Sequence, residues 1–193
     1  AAIQRPREAH LDYAIRTALG SESLLPFWRE TTPLTIEQFM AAFNLSSQTK
    51  AGSSTLNAKD AAFDSQANLA EIKISCITGR LLFSKKRFEV EAGQAVKLVF
   101  TNPDATPHNL LVLQSGTPVE SVGLAANEMA KSPEGAKNNF VPDDDRILHS
   151  TKMLGPNSSE TLRFLAPEQP GTYPFLCTFP GHWVLMKGEM IVK

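Results

Sequence analysis

Apolar and polar residues alternate over short stretches in most of the chain after residue 68. In AEIKISCI, for example, polar residues separate Ile72, Ile74 and Cys76, a spacing typical of a strand with one buried face. The same texture recurs in KRFEVEAGQAVKLVFTN, interpreted as two strands about a turn at Gly93, and in HNLLVL, ETLRFLAP, TYPFLCTF and GEMIVK. Turn-forming Gly, Pro and Asn residues separate these segments, so the pattern predicts a mainly β sandwich or barrel.

One long polar stretch, VESVGLAANEMAKSPEGAKNNFVPDDDRI, interrupts this series of strands. Its residue types favour a helix over Val119–Ala130 and a loop afterwards. We therefore expect a helical insertion between two strands of the β domain.

The N-terminal part of the chain has helical periodicity instead. In LTIEQFMAAFNL, Thr35 and Gln38 have the spacing of a capping box. An apolar stripe follows, formed by Ile36, Phe39, Met40 and Phe43. A second helix is predicted over RPREAHLDYAIRTALG, with Pro6 in its first turn and Gly20 at its end. Two helices of this size bury too little surface to be stable alone. We expect them to pack on the same chain, on a second copy in a homo-oligomer, or on an upstream region.

These patterns divide the chain into three parts. Residues 1–45 form an α-helical extension, which also fits the end of an upstream helical region. Residues 46–67 are rich in Ser, Ala, Thr, Gln and Asn and read as a linker with a short helix near Ala58–Phe63. Residues 68–193 form the β domain.

Composition excludes several classes of function. The formal net charge of the 193 residues is −1, and no basic stripe stands out, so we expect no nucleic-acid partner. No apolar run approaches the roughly 20 residues of a membrane span, and the first ten residues lack the apolar region of a signal peptide. The two cysteines allow one disulfide, but Cys177 belongs to the motif described next, so we expect Cys76 to be a buried apolar residue in a strand.

The C-terminal sequence CTFPGHWVLMKGEMIVK brings three metal-binding residue types close together: Cys177, His182 and Met186. If Cys177 ends a strand, the Pro180-Gly181 turn returns His182 to its side, and Met186 approaches from a third direction. A second histidine, His108, opens the strand HNLLVL. Two imidazoles, one thiolate and a weak thioether form the trigonal site with a long axial bond that blue-copper electron-transfer proteins use.

Each of these residues also has an ordinary structural explanation when it is taken alone. A methionine is usually a core residue, a histidine a turn residue and a buried cysteine an inert filler. The complete pattern favours one copper ion per chain. Zinc accepts the same Cys and His ligands, but a structural zinc site rarely includes a thioether.

Two further residues are expected to support the metal. The amide of Asn109 is placed to tie the two ligand loops together, and the backbone N–H of Phe179 is placed to donate to the Cys177 sulfur. The remaining histidines, His10 and His149, lack ligand spacing, and His149 is interpreted as a strand-surface residue.

The segments HSTKMLGPNSSETLRF and PGTYPFLCTFPGHWVLMKGEMIVK resemble azurin and the related auracyanins, which are blue copper proteins of the cupredoxin family. The resemblance implies a Greek-key β-sandwich, with copper bound by His108, Cys177, His182 and an axial Met186. It also implies an additional weak axial carbonyl, which here belongs to Pro107, and a periplasmic or extracytoplasmic location. Tyr173 resembles the structural tyrosine of Greek-key corners.

The leading hypothesis is therefore a one-electron carrier rather than an enzyme. Its redox partner would dock near His182 and Trp183, where Val184 and Leu185 extend an apolar ring. Copper oxidases and nitrite reductases need a second copper site with several more histidines, and this chain has only 4.

Two alternatives stay open. One is a non-redox copper-binding module. The other is an electron-relay domain of a larger haem- or dehydrogenase-type protein, because HLDYAIRTALGSESLLPFW resembles a helical-repeat region that precedes cupredoxin modules in such proteins.

Overall fold

The alternating segments form eight strands in the computed structural model, which describes residues 58–193. The strands are β1 (Ala70–Ser75), β2 (Arg87–Val90), β3 (Ala95–Asn102), β4 (Leu111–Leu113), β5 (Ile147–Ser150), β6 (Ser158–Leu165), β7 (Gly171–Leu176) and β8 (Lys187–Val192). The helices in this range are α1 (Ala58–Asp64), α2 (Val119–Met129) and α3 (Pro133–Lys137), with a 3-10 turn at His182–Val184. The two helices predicted within residues 1–45 lie outside the described residues.

The strands form two sheets, with the orders β1-β3-β6 and β2-β8-β7-β4-β5. In the first sheet β3 runs parallel to β1 and antiparallel to β6. In the second, β7 runs antiparallel to both of its neighbours. The prediction of a mainly β sandwich is thus confirmed. The strands on either side of Gly93, which has a φ of +67°, belong to different sheets, so this turn carries the chain across the sandwich and does not close a hairpin.

Side chains from both sheets meet in one apolar core. The ring of Phe83 lies 5.9 Å from that of Phe100 on β3 and 5.4 Å from that of Phe175 on β7. All three are essentially inaccessible to solvent, and burying each such side chain contributes roughly 1.5–3 kcal/mol. At the sandwich corner, the hydroxyl of Tyr173 donates to the carbonyl of Gln169 at 2.7 Å, which is the structural role predicted for this tyrosine.

The insertion contains the predicted helix and a second one. Helix α2 covers the predicted range to within one residue. The stretch after it was expected to be a loop, and that expectation was incomplete because α3 forms there. Pro133 begins α3 at a position where no backbone N–H is needed. Gly135 lets the helix lie against α2, since a Cβ atom would come within 2.0 Å of the carbonyl oxygen of Met129.

Helix α1, found where the sequence predicts a short helix, is attached to the first sheet by Asp64. This carboxylate accepts two hydrogen bonds from Arg163 of β6, at 2.8 and 3.0 Å, and pairs with Lys97 of β3 at 2.8 Å. Hydrogen bonds from Arg163 and Lys97 hold the pKa of Asp64 well below its usual range. None of the helices between residues 58 and 193 is long and apolar enough to cross a membrane.

Candidate metal centre

The strand order brings the predicted ligands to one end of the five-stranded sheet. His108 lies just before β4, Cys177 directly follows β7, and Met186 directly precedes β8. Because β4 and β8 both run antiparallel to β7, their first residues lie beside the last residue of β7: Leu176 faces both Leu111 and Lys187. Residues far apart in the sequence therefore meet at this edge.

A tight loop returns His182 towards Cys177. Gly181 has a φ of +82°, a conformation that glycine adopts without steric cost. The loop is closed by backbone hydrogen bonds from His182 to Phe179 (2.9 Å), from Met186 to His182 (2.8 Å) and from Cys177 to Met186 (3.0 Å). The expected Pro180-Gly181 turn is thus present, and the backbone of Met186 is fixed beside that of Cys177.

Three donor atoms converge in the buried space between these segments. The Cys177 Sγ lies 3.8 Å from Nδ1 of His108 and 3.7 Å from Nδ1 of His182, and the two nitrogens are 3.2 Å apart. These distances define a triangle with a circumscribed radius of about 2.1 Å, close to the roughly 2.0–2.3 Å bonds that imidazole nitrogen and thiolate sulfur make to a metal such as zinc. The donor set therefore fits a single metal ion in trigonal coordination.

The protonation states of these groups are compatible with metal binding. Burial, and then the neighbouring His108, hold the pKa of His182 well below its ordinary value, so its imidazole is neutral and has a lone pair available. Burial raises the pKa of the Cys177 thiol to about 12, although backbone N–H groups of Asn109 and Phe179 act in the opposite direction. A bound metal ion deprotonates such a thiol and takes the place of its proton.

Asn109 links the two ligand-bearing segments. Its side-chain NH₂ donates to Thr178 Oγ1 at 2.7 Å and to the carbonyl of Asn139 at 2.9 Å, and its side-chain oxygen accepts the N–H of Thr178 at 2.7 Å. This is the tie that the sequence predicted between the two loops. The partners Thr178 and Asn139 were not anticipated, because only the fold brings them to Asn109.

The outer nitrogen of His108 faces an unanticipated carboxylate. Oδ2 of Asp104 lies 3.7 Å from His108 Nε2, too far for a hydrogen bond, and both side chains are buried. Burial raises the pKa of Asp104, but the facing His108 and the N–H groups of Ala105 and Gly79 outweigh this, so the pKa is lowered. An acidic residue four positions before the candidate ligand His108 was the available sequence signal.

Helix α2 braces the loop of His182. Gly123 lies against the Trp183 ring so closely that a Cβ atom would come within 2.3 Å of it. Four residues later on the same helix, the side-chain oxygen of Asn127 accepts the N–H of Gly181 at 2.9 Å. The indole of Trp183 is therefore turned partly inward against the insertion, and it does not stand fully in the exposed apolar ring that was expected.

The solvent exposure of this loop changes sharply along its length. His182 is only 2% exposed, with the Phe179 ring 4.5 Å from its own, whereas Val184 and Leu185 are 50% and 59% exposed. The apolar surface thus lies beside His182, a candidate ligand that is itself covered.

Neither Cys76 nor His149 belongs to the cluster of donor atoms. Both Cys76 and Cys177 are buried free thiols, and Cys76 follows β1 as a core residue. His149 lies in β5, as predicted, with its half-buried ring stacked 4.2 Å from Phe164. His10 lies outside the described residues.

Comparisons with known proteins agree with this geometry. A solved structure of dithionite-reduced auracyanin from Roseiflexus castenholzii is 40% identical, covers 64% of this chain and 96% of its own, and has a TM-score of 0.56. Auracyanin A from Chloroflexus aurantiacus, described as a blue copper protein, is 30% identical over 65% of this chain and 99% of its own, with a TM-score of 0.57. Azurin from Pseudomonas fluorescens biotype A is 29% identical over 133 residues, which cover 64% of this chain and all of azurin.

The family model for copper binding proteins of the plastocyanin/azurin family matches residues 70–193. This range contains both sheets and all three converging donor atoms. The chain therefore belongs to the plastocyanin/azurin family of copper-binding proteins.

Proposed function

We propose that this chain carries single electrons through one copper ion held by His108, Cys177 and His182, with Met186 as the weak axial ligand. The observation that carries the proposal is the convergence of one sulfur and two imidazole nitrogens within 4.8 Å of one another in a fully buried space. This donor set is that of type 1 copper. Burial excludes water from the metal, and the fixed loops limit the rearrangement that accompanies each change of oxidation state.

The axial assignment is supported by the position of Met186. Its side chain is completely buried, and its backbone is hydrogen-bonded to both Cys177 and His182. Pro107, which is also buried, remains our candidate for a carbonyl on the opposite side. Backbone N–H groups of Asn109 and Phe179 favour the thiolate form of Cys177, and such donors tune the potential of a metal site.

The redox partner is proposed to dock over the His182 loop. Among residues 58–193, five large apolar side chains are exposed, and three of them, Leu124, Val184 and Leu185, flank the contact between α2 and Trp183. A partner that covers this patch contacts Val184 and Leu185, which directly follow Trp183 and lie beside the proposed copper ligand His182 in the sequence. The insertion thus enlarges a docking surface as well as bracing the loop.

The docking proposal is tested by electron self-exchange between copies of the protein, measured by NMR line broadening in mixtures of the oxidised and reduced forms. Leu185→Glu should slow self-exchange several-fold without changing the potential, because a charge at the contact opposes close approach. The matched control is Leu165→Glu, since Leu165 is equally exposed (58%) but lies on β6 in the other sheet. Equal rates for the two variants would contradict the docking proposal.

The resemblance to azurin supports a periplasmic or extracytoplasmic location.

We also propose the division of the chain into residues 1–45, 46–67 and 68–193. The alternative of a relay domain in a larger redox protein is likewise kept as a proposal. Deleting residues 1–57 should leave the copper spectrum unchanged, because every proposed ligand lies after residue 100. A lost copper band in a still folded β domain would contradict this division.

Copper loading tests the main proposal. The metal-free protein should take up one Cu(II) per chain, develop an intense visible charge-transfer band, lose the band on reduction and regain it on oxidation. Copper uptake without that band would favour the non-redox copper-binding module, and the absence of copper uptake would refute both.

A further inference from the structure

The buried imidazole of His108 has two different surroundings. Its Nδ1 points into the cluster with Cys177 and His182. Its Nε2 is buried, has no hydrogen-bond partner within the described residues, and lies 3.7 Å from Oδ2 of Asp104. A buried N–H or lone pair without a partner is unfavourable, so the carboxylate that faces this nitrogen is the group that could satisfy it.

We propose that Asp104 is a positioning residue for the copper centre. It holds His108 in the tautomer that carries its proton on Nε2, and its negative charge favours Cu(II) over Cu(I). The inference rests on the proposed function, in which Nδ1 of His108 binds copper.

The tautomer follows from the donor geometry. A nitrogen that binds a metal must present a lone pair, so the single proton of a neutral imidazole then lies on Nε2. This N–H faces the Asp104 carboxylate, and a shift of roughly 0.5–1 Å brings the pair into hydrogen-bond range. Metal-bound histidines commonly donate their outer N–H to a carboxylate or carbonyl in this way, which fixes the ring and raises its basicity.

The electrostatic effect follows from the other contacts of Asp104. Its Oδ1 accepts the N–H of Ala105 at 2.7 Å, and its Oδ2 accepts the N–H of Gly79 at 3.2 Å. Within the described residues, no Lys or Arg forms an ion pair with it. These N–H donors stabilise the carboxylate without neutralising it, so a nearly buried negative charge, 4% exposed, faces a copper ligand.

Asp64 provides a contrasting carboxylate in the same chain. It forms ion pairs with Arg163 and Lys97 of the three-stranded sheet. These two cations compensate its negative charge, and no proposed copper ligand lies beside it. Asp64→Asn is therefore the matched control for Asp104→Asn: the chemical change is identical, and only the position differs.

The experiment measures the reduction potential and the Cu(II) and Cu(I) affinities of the full-length wild type, Asp104→Asn and Asp64→Asn. Asp104→Asn should weaken Cu(II) binding at least tenfold relative to Cu(I) binding, which corresponds to a rise of about 59 mV for one electron. Asp64→Asn should leave both quantities unchanged. If Asp104→Asn lowers only the stability of the protein, or shifts the potential no more than Asp64→Asn does, then Asp104 only stabilises its loop. That result would overturn the proposal.

A measurement on the wild type covers the case in which Asp104→Asn does not fold. In the Cu(I)-loaded protein at pH 7, NMR should show an ionised Asp104 carboxyl group and a His108 proton on Nε2. A neutral carboxyl group would overturn the proposal. If the wild type fails to bind copper at all, the proposed function itself fails, and this outcome is distinct from a blue wild type whose Asp104 is neutral.

Discussion

The two segments that carry the proposed copper ligands are held in different ways. Residues 102–110, which contain His108, are fixed by buried polar side chains: Asn102 donates to the carbonyls of Thr106 at 2.8 Å and Leu154 at 2.9 Å. Residues 177–186, which contain Cys177 and His182, are joined to the first segment through Thr178. They are also braced by an element outside both segments, because α2 packs against Trp183 and accepts a hydrogen bond from Gly181.

This difference separates two tasks of an electron carrier. The buried polar side chains of the first segment set the electrostatic environment of the proposed copper site, because their charges and dipoles are shielded from solvent. The loop braced by α2 presents the exposed apolar surface through which a partner is approached. Outside the proposed ligands themselves, substitutions in the first segment should mainly change potential and stability, whereas substitutions in the second should mainly change packing and docking.

The largest loss of stability is expected where the two segments are joined. Asn109→Ala leaves the N–H of Thr178 and the carbonyl of Asn139 without their partner, and each buried group left unpaired is unfavourable by about 1–3 kcal/mol. The control Thr178→Val removes only one side-chain contact and should be milder. Urea denaturation measures both variants, and equal losses of free energy would show that Asn109 does not bridge the segments.

A smaller loss is expected at the brace of the second segment. Alanine normally favours a helix over glycine by about 0.8–1 kcal/mol, but at Gly123 the new Cβ atom collides with Trp183. Overpacking of this kind destabilises by about 1–3 kcal/mol, so Gly123→Ala should be destabilising. In Trp183→Leu the same change should become neutral or stabilising, and a purely additive double mutant would argue against the brace.

The axial ligand should change potential more than stability. Met186→Leu should retain copper and raise the potential, because a donor that favours the oxidised metal is lost, and Met186→Gln should lower it because an oxygen donor prefers Cu(II). Met190→Leu is the control, since Met190 is equally buried but lies within β8. Voltammetry showing the same potential in all of these proteins would remove Met186 from the ligand set.

The smallest effect on the metal is expected at Asp64. Its pKa is lowered in the folded state, so its ion pairs stabilise the protein at pH values above the unfolded carboxyl pKa of about 3.9. This contribution is lost as the pH falls through the lower folded pKa. Asp64→Asn should therefore be less stable than wild type at pH 7, with the difference shrinking below about pH 4.

The exposed Asp143 provides a control as Asp143→Asn, which makes the same chemical change at a surface position. A stability difference between wild type and Asp64→Asn that persists unchanged at low pH would contradict the role of the Asp64 ion pairs. The copper spectrum of Asp64→Asn should match that of wild type at neutral pH.

Local patterns predicted most of the elements because the governing interactions are short-range. Alternation identified the strands, exemplified by Ile72 and Ile74 in β1, and helix propensity identified α2. The five-residue helix α3 was missed because its residues Pro133 and Gly135 are typical of loops. Only the structure shows that Gly135 packs against α2. The sheet change at Gly93 depends on pairing with distant strands, which no local pattern contains.

The convergence of Cys177 with His182 was predictable because the two residues lie five positions apart in a sequence motif with distinctive chemistry, and His108 was the histidine that opens another strand. The axial role of Met186 stays a prediction. The surroundings of these residues were less predictable. The contacts of Asp104 with His108 and of Gly123 with Trp183 depend on how loops and the insertion fold back on the sandwich, and aspartate and glycine are common in loops and helices without any such role.

The most direct test compares the two cysteines in copper-loaded protein. Both are buried free thiols, but only Cys177 lies with His108 and His182. The visible absorption spectrum of Cys177→Ser should lack the intense charge-transfer band while far-ultraviolet circular dichroism shows a folded β protein, and Cys76→Ser should keep the band. An intensely blue Cys177→Ser, or a band lost only in Cys76→Ser, would contradict the assignment of the copper site.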